Sequence, residues 1–84
     1  FRGSPVKRIG RDRFVRNVLI AIGNSGEPAL AIAAKRLLAD AAPLVRAMAA
    51  WALSRLLPGE AFAALADRYA ELEADADVKE EWRA

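Results

Sequence analysis

The residues of this 84-residue chain best suited to chemistry are a set of cations near its amino-terminal end. They are Arg2, Lys7, Arg8 and Arg11. Their spacing is close enough for contact with several consecutive phosphates of a polyanion. Each phosphate that such a side chain neutralises releases counterions, so binding of this kind weakens steeply as salt is added. The alternative interpretation of the same charges is a solvated tail.

The charge of the chain is unevenly distributed. The formal net charge is only +2, from 13 basic and 11 acidic residues. Residues 1–16 hold six basic side chains against one acid, Asp12, whereas residues 59–84 hold three basic side chains against eight acids. One end therefore attracts polyanions and the other repels them. Such polarity suits a domain that is oriented on a phosphate backbone.

The composition excludes several classes of site. The sequence has no cysteine and no histidine, which excludes disulfides, thiolate zinc sites, iron–sulfur ligation and histidine-based catalysis from these residues. The acids between Glu71 and Glu81 lack the glycine and alternating ligands of an EF-hand loop, so we interpret them as a solvated face. No apolar run reaches the roughly 20 residues of a membrane span. We expect a monomeric, cytoplasmic protein that contacts no membrane and holds no metal or cofactor in this segment.

Apolar periodicity predicts an all-α fold of four to five helices with short turns. Residues 1–12 are predicted to form a basic loop or arm, and residues 13–84 a helical-repeat domain. The predicted helices cover residues 13–22, 28–39, 44–57, 60–74 and 78 onward. Prolines at helix starts and glycines beyond helix ends set most of these limits.

Several residues are assigned to the ends and faces of these helices. Gly23 is expected to end the first helix in a left-handed conformation, and Asp77 to cap the last. Trp51 lies in the most apolar helix, which predicts a core position between neighbouring helices and not a platform for stacking bases. Trp82 lies in the last, incomplete helix and is expected to be exposed. The inner stripe of the first helix is predicted to be Phe14, Val15, Val18, Leu19 and Ile22.

The helices repeat along the sequence. Val15-Arg16 corresponds to Val45-Arg46 at an offset of 30, and Val78-Lys79 follows Val45-Arg46 by 33 positions. Self-similarity of this period is typical of stacked helix pairs. Residues 40–46 (DAAPLVR), with the alanines and leucine after them, resemble a HEAT-like repeat, and the third repeat is truncated. That resemblance implies that the Val-Arg arginine ties neighbouring repeats together through an acidic partner.

Two motifs near the start of the chain resemble the epoxyqueuosine reductase family. Residues 1–8 (FRGSPVKR) match its F-x-G-[ST]-x-[IV]-x-R stretch, and residues 16–24 (RNVLIAIGN) match its R-N-x-x-[IV]-A-x-G-N segment. In that family the first motif follows the second cluster-binding cysteine motif, and the second motif opens a HEAT-like domain. The resemblance covers residues 1–57 well and the acidic remainder only in pattern.

The resemblance implies that the chain is the C-terminal part of a longer oxidoreductase, and the first residue, Phe1, is consistent with an excised piece. Such enzymes reduce epoxyqueuosine to queuosine in tRNA with a cobalamin and two [4Fe–4S] clusters, which would be bound upstream of Phe1. The segment itself is then expected to be an accessory domain without a catalytic centre. Its expected partners are tRNA and the upstream catalytic domains of the same chain.

The candidate tRNA-binding surface combines the arm with one face of the first helix. Arg13, Arg16 and Asn17 share that face because positions three and four apart are neighbours on a helix. Arg16 has an alternative structural role, since it occupies the repeat position of Arg46, for which an inter-repeat ion pair is the preferred interpretation. The full candidate set is Arg2, Lys7, Arg8, Arg11, Arg13, Arg16 and Asn17.

Two alternatives stay open at this stage. The arm could pack on the catalytic core of the intact enzyme instead of RNA. The whole domain could instead be a HEAT-like protein–protein interaction module. A module of that kind would present an exposed apolar groove, whereas the predicted first helix has charges beside its apolar stripe.

Overall fold

A computed structural model describes the backbone of residues 5–83 and the side chains of residues 10–83. Over these residues the chain is all-helical, with five α-helices and no strand, which confirms the predicted all-α class and number of helices. The helices are α1 (Pro5–Asn24), α2 (Ala31–Arg36), α3 (Pro43–Leu56), α4 (Gly59–Leu72) and α5 (Ala76–Arg83). Short 3-10 turns, Pro28–Leu30 and Leu37–Ala39, extend α2 at both ends. None of the helices described is long and apolar enough to cross a membrane.

The first helix begins earlier than the sequence predicted. The loop or arm expected over residues 1–12 is wrong from Pro5 onward, because Pro5–Asn24 forms one 20-residue helix; residues 1–4 lie outside the described part. A proline at the first helical position loses no hydrogen bond, since the first N–H groups of a helix have no partner within it. Gly10 weakens such a helix by only about 1 kcal/mol. The cations after Pro5 therefore belong to a helix.

The central element of the fold is α3. It contacts every other helix, most extensively α1 and α5, as predicted for the most apolar segment. Helix α2 packs mainly on α3, and α4 packs mainly on α5. Alanines on α3 allow these neighbours to approach closely, and the resulting core is mainly aliphatic, with Trp82 of α5 included in it. The buried residues of α3 are Val45, Ala49, Ala50, Ala52, Leu53 and Leu56.

A close approach between α1 and α3 involves a glycine. The prediction that Gly23 ends α1 in a left-handed conformation is wrong, because Gly23 lies inside the helix. The left-handed backbone occurs at Gly26, with φ 69°. A Cβ atom on Gly23 would overlap Cζ3 of the Trp51 indole. Trp51 is half-buried against the core, and the Arg55 guanidinium lies 5.7 Å from its ring centroid. The predicted core position of Trp51 is confirmed.

An aromatic cluster joins α4 to α5. The Trp82 ring is stacked with Phe62, at a centroid distance of 5.4 Å, and with Tyr69, at 5.8 Å. Only 5% of Trp82 is exposed. The expected exposure of Trp82 is therefore wrong, because α4 supplies the apolar surface that a following helix was expected to provide.

The cap of α5 lies two residues before the predicted one. Asp75 Oδ1 accepts hydrogen bonds from the backbone N–H groups of Asp77 (2.9 Å) and Val78 (3.1 Å). These two donors have no partner within the helix, and supplying an acceptor for such donors is the usual function of an aspartate cap. Asp77 is instead an exposed acid in the first turn, where it faces the positive end of the helix dipole.

Candidate nucleic-acid interface

The candidate RNA-contacting residues lie on α1 or before it. Arg2 falls outside the described residues, as do the side chains of Lys7 and Arg8, whose backbone forms the start of α1. The structure describes the remaining four side chains, which fall into two groups by their surroundings. Two of them are bound to the protein itself, and two are turned toward solvent. They are Arg11, Arg13, Arg16 and Asn17.

Arg11 fastens α1 to the turn between α2 and α3. Its guanidinium forms a bidentate ion pair with Asp40, with Nη2–Oδ1 at 2.7 Å and Nη1–Oδ2 at 3.0 Å, and Nη1 also donates to Asp12 Oδ1 at 3.0 Å. The Arg11 guanidinium lowers the pKa of Asp40 below its ordinary value. Asp40 Oδ2 also accepts a hydrogen bond of 3.0 Å from the N–H of Ala42. The charge of Arg11 is thus compensated within the fold.

Arg46 forms a second bidentate ion pair, which joins α3 to the turn between α4 and α5. It pairs with Glu73 through two hydrogen bonds of 2.9 Å, from Nε to Oε1 and from Nη2 to Oε2. Its Nη1 donates to the carbonyls of Asp40 (2.9 Å) and Ala41 (3.0 Å). The ion pair lowers the pKa of Glu73 and raises the pKa of Arg46. The predicted structural role of Arg46 is confirmed, and Glu73 is part of a partly buried tie and not of a solvated face.

The ion pairs Arg11–Asp40 and Arg46–Glu73 share one arrangement. Asp40 and Glu73 each lie three residues before the first residue of a helix, α3 and α5 respectively. Each carboxylate also accepts the N–H two residues ahead, at Ala42 in the first case and Asp75 in the second. The acids are 33 positions apart, the same offset that relates Val45 to Val78. Sequence reasoning missed Arg11 as the partner of Asp40, although this offset marks Asp40 as the equivalent of Glu73.

Arg16 does not form the ion pair that its repeat position predicted. Among the described residues it makes no salt bridge, and its Nη2 donates to Asn17 Oδ1 at 3.2 Å. Its side chain is half-buried, and the Nε atom is buried without a hydrogen-bond partner in the described part of the chain. Asp40, which is equivalent to the acidic partner of Arg46, is bound instead by Arg11, one to two turns earlier on α1.

Arg13 and Asn17 lie on the solvent side of α1. Both are exposed, and Arg13 makes no salt bridge with any described residue. The ring of Phe14 stands on the same side, 69% exposed, so its predicted place in the inner stripe is wrong. Leu19 faces the core with no exposure, and Phe14 is rotated from it by about 140° around the helix. Val18 is likewise 40% exposed.

The described side chains of α1 include one side that is suited to contact with an anion. Among the described residues of α1, the guanidinium of Arg13 is available to a phosphate, and the amide of Asn17 and the ring of Phe14 lie on the same side. In the part of the chain that is described, no group of three or more acidic side chains is placed to hold a metal ion. The two shallow concavities near the ion pairs are lined by groups already engaged in those pairs, among them Arg11, Asp40, Arg46 and Glu73.

Comparison with known proteins gives one informative match. The chain is 41% identical over 61 residues to an epoxyqueuosine reductase of Alicycliphilus denitrificans, and the match covers 63% of this chain. It covers only 17% of that relative's length. No protein-family model matches the chain. No solved structure matches it either. The chain is thus related to a short part of an epoxyqueuosine reductase, in agreement with the resemblance of the two motifs.

Proposed function

We propose that the chain is a tRNA-binding accessory part of a longer enzyme related to epoxyqueuosine reductase. The enzyme would reduce epoxyqueuosine to queuosine in tRNA, and this segment would hold the substrate. The observation that carries the proposal is the solvent side of α1, where Arg13 and Asn17 are exposed within a segment that Lys7 and Arg8 make strongly basic. The 41% identity to part of such an enzyme supports the same assignment.

The chemistry of reduction belongs elsewhere in the proposed enzyme. Iron–sulfur clusters are held by cysteine thiolates, and this sequence contains no cysteine. The residues present therefore do not fit a cluster, and the clusters and cobalamin of the proposed parent would be bound by other parts of it. The stacked helices would form a HEAT-like array, in which the Arg11–Asp40 and Arg46–Glu73 pairs hold successive repeats together.

The structure changes which cations are assigned to RNA. Arg11 is neutralised by two carboxylates, so its removal would disturb the α1–α3 packing as well as any RNA contact. Arg13 has no such role among the described residues. We assign phosphate contacts to Lys7, Arg8 and Arg13, with Arg2 as an extension of the same surface, and a helix-bracing role to Arg11. Asn17 would contact sugar or base edges, and Arg16 would orient it through their hydrogen bond.

Salt dependence of tRNA binding tests this assignment. Arg8→Gln with Arg13→Gln removes two charges from α1, and Lys35→Gln with Arg36→Gln removes two charges from the exposed side of α2 as a matched control. The slope of log affinity against log salt should become shallower by about 1.5 for the α1 variant. It should stay near the wild-type value for the α2 variant. Equal slopes for all three proteins would refute the assignment.

A second candidate function is a protein-binding module. Ile32 on α2 and Leu72 on α4 are 62% and 76% exposed, and a protein partner would remove such aliphatic surface from water. Ile32→Ser with Leu72→Ser distinguishes the two functions. The change leaves tRNA affinity unaltered if α1 is the RNA surface. If the wild type binds no tRNA and this variant loses a stoichiometric protein partner, the protein-binding module is favoured.

A further inference from the structure

The exposed ring of Phe14 has open space around it. Gly10 lies one turn before it on α1, and a Cβ atom on Gly10 would find no atom within 4 Å. Ala21, two turns after Phe14 on the same side, is exposed and small. Neither neighbour covers the ring, which is 69% exposed. The face of Phe14 is therefore accessible to a planar group between these two positions of α1.

The other aromatic rings of the described chain are already covered. Trp51 lies between the backbone of Gly23 and the Arg55 guanidinium. The rings of Phe62, Tyr69 and Trp82 stack on one another between α4 and α5. Phe14 differs from them because it contributes little to the core. Its ring is therefore available for a role outside folding.

The residues beside Phe14 indicate what could bind there. Arg13 is adjacent in the chain and exposed, with no salt bridge to a described residue. Asn17 is exposed at the next turn and carries an amide that both donates and accepts hydrogen bonds. Proteins recognise single-stranded nucleic acids with the same combination: an aromatic ring for the base, a cation for the phosphate and an amide for the base edge.

We propose that Phe14 is a stacking platform for an unpaired base of RNA. The base lies on the ring, and Arg13 binds the neighbouring phosphate. This proposal rests on the function proposed above and adds to it the kind of RNA structure that is bound. The faces of bases within a duplex are covered by their neighbours, so an unpaired loop should be preferred over a duplex of equal charge.

The test uses the full chain and two RNA probes, a hairpin with a seven-nucleotide unpaired loop and a blunt duplex of the same number of phosphates. Phe14→Ala should weaken binding of the hairpin by about 5- to 100-fold, as for loss of one stacked base, and leave duplex binding unchanged. Phe14→Trp should retain hairpin binding. Phe14→Leu keeps an apolar side chain without the ring and should behave like Phe14→Ala. Ile32→Ala, at a second exposed apolar residue, is the matched control and should change neither affinity.

Each outcome distinguishes the stacking platform from the broader function. If Phe14→Ala leaves hairpin affinity unchanged while the Arg8 and Arg13 double variant still flattens the salt slope, the stacking proposal fails and RNA binding by α1 stands. Absence of salt-dependent binding to both probes overturns both proposals. If Phe14→Ala instead abolishes self-association in sedimentation measurements without affecting hairpin binding, the ring contacts protein and the stacking proposal is wrong. Circular dichroism checks that each variant is as helical as the wild type.

Discussion

The indole of Trp51 occupies the space in which a side chain on Gly23 would stand. Gly23→Ala should therefore lower the free energy of unfolding by about 1 to 2 kcal/mol, because the steric overlap exceeds the gain in helix propensity. Gly10→Ala is the matched control on the same helix, and it should raise the stability by about 0.5 to 1 kcal/mol. Urea denaturation followed by circular dichroism measures both. Trp51→Leu should cost less stability in the Gly23→Ala background than in the wild type.

The tie between Arg46 and Glu73 should make a measurable contribution to stability. Arg46→Ala leaves the partly buried carboxylate of Glu73 without its guanidinium, and a loss of about 2 kcal/mol is expected. That loss corresponds to a decrease of about 10 °C in Tm for a domain of this size. Arg46→Lys keeps the charge and lacks the bidentate geometry, so its loss should be intermediate. A Tm for Arg46→Ala within 2 °C of the wild type would contradict the assigned role.

The same pairs predict how stability depends on pH. The folded-state pKa values of Asp40 and Glu73 both lie below their ordinary values, because each carboxylate is bound by an arginine. The stability that they confer is therefore complete above about pH 4.5, and it is lost as the pH falls through their folded-state pKa values. Thermal unfolding between pH 7 and pH 2 should show this loss. The Asp40→Asn and Glu73→Gln double variant should be less stable at pH 7 and less sensitive to acid; an unchanged acid dependence would refute the prediction.

The cap of α5 can be tested against the position that the sequence indicated. Asp75→Ala removes an oxygen that accepts two backbone hydrogen bonds, and it should lower the stability by about 1 kcal/mol. Asp77→Ala removes an exposed acid with no capping role and should change the stability by less than about 0.5 kcal/mol. Chemical denaturation of the two variants in parallel is the measurement. A larger effect at Asp77 would restore the sequence-based assignment.

Much of the helical architecture could be predicted because its determinants are local. Pro28 and Pro43 mark the starts of helical segments as expected, and the apolar segment 44–57 lies at the centre of the fold. The same rule applies to Pro5, but the residues Gly3-Ser4 before it and Gly10 after it favoured a loop in the prediction. Because α1 begins at Pro5, Lys7 and Arg8 belong to a helix and not to an extended arm.

The candidate surface could be predicted only in part. Its location near the start of the chain followed from the charge distribution. Sequence could not show that Arg11 and not Arg16 binds the acid before α3, because the choice depends on how α1 is rotated against α3. The same rotation buries Leu19 and exposes Phe14, although both belong to an apolar set with helical spacing.

By itself, the sequence determined the all-helical class, the polarity of charge and the absence of thiol and imidazole ligands, since these follow from residue types and their short-range spacing. It also carried the motifs shared with part of an epoxyqueuosine reductase. Tertiary structure alone decided which cations are neutralised and which aromatic ring remains exposed. Ion pairs and stacking require atoms within a few ångströms of one another. For Arg11 and Asp40, 29 residues apart in the chain, only the packing of α1 against the α2–α3 turn provides that proximity.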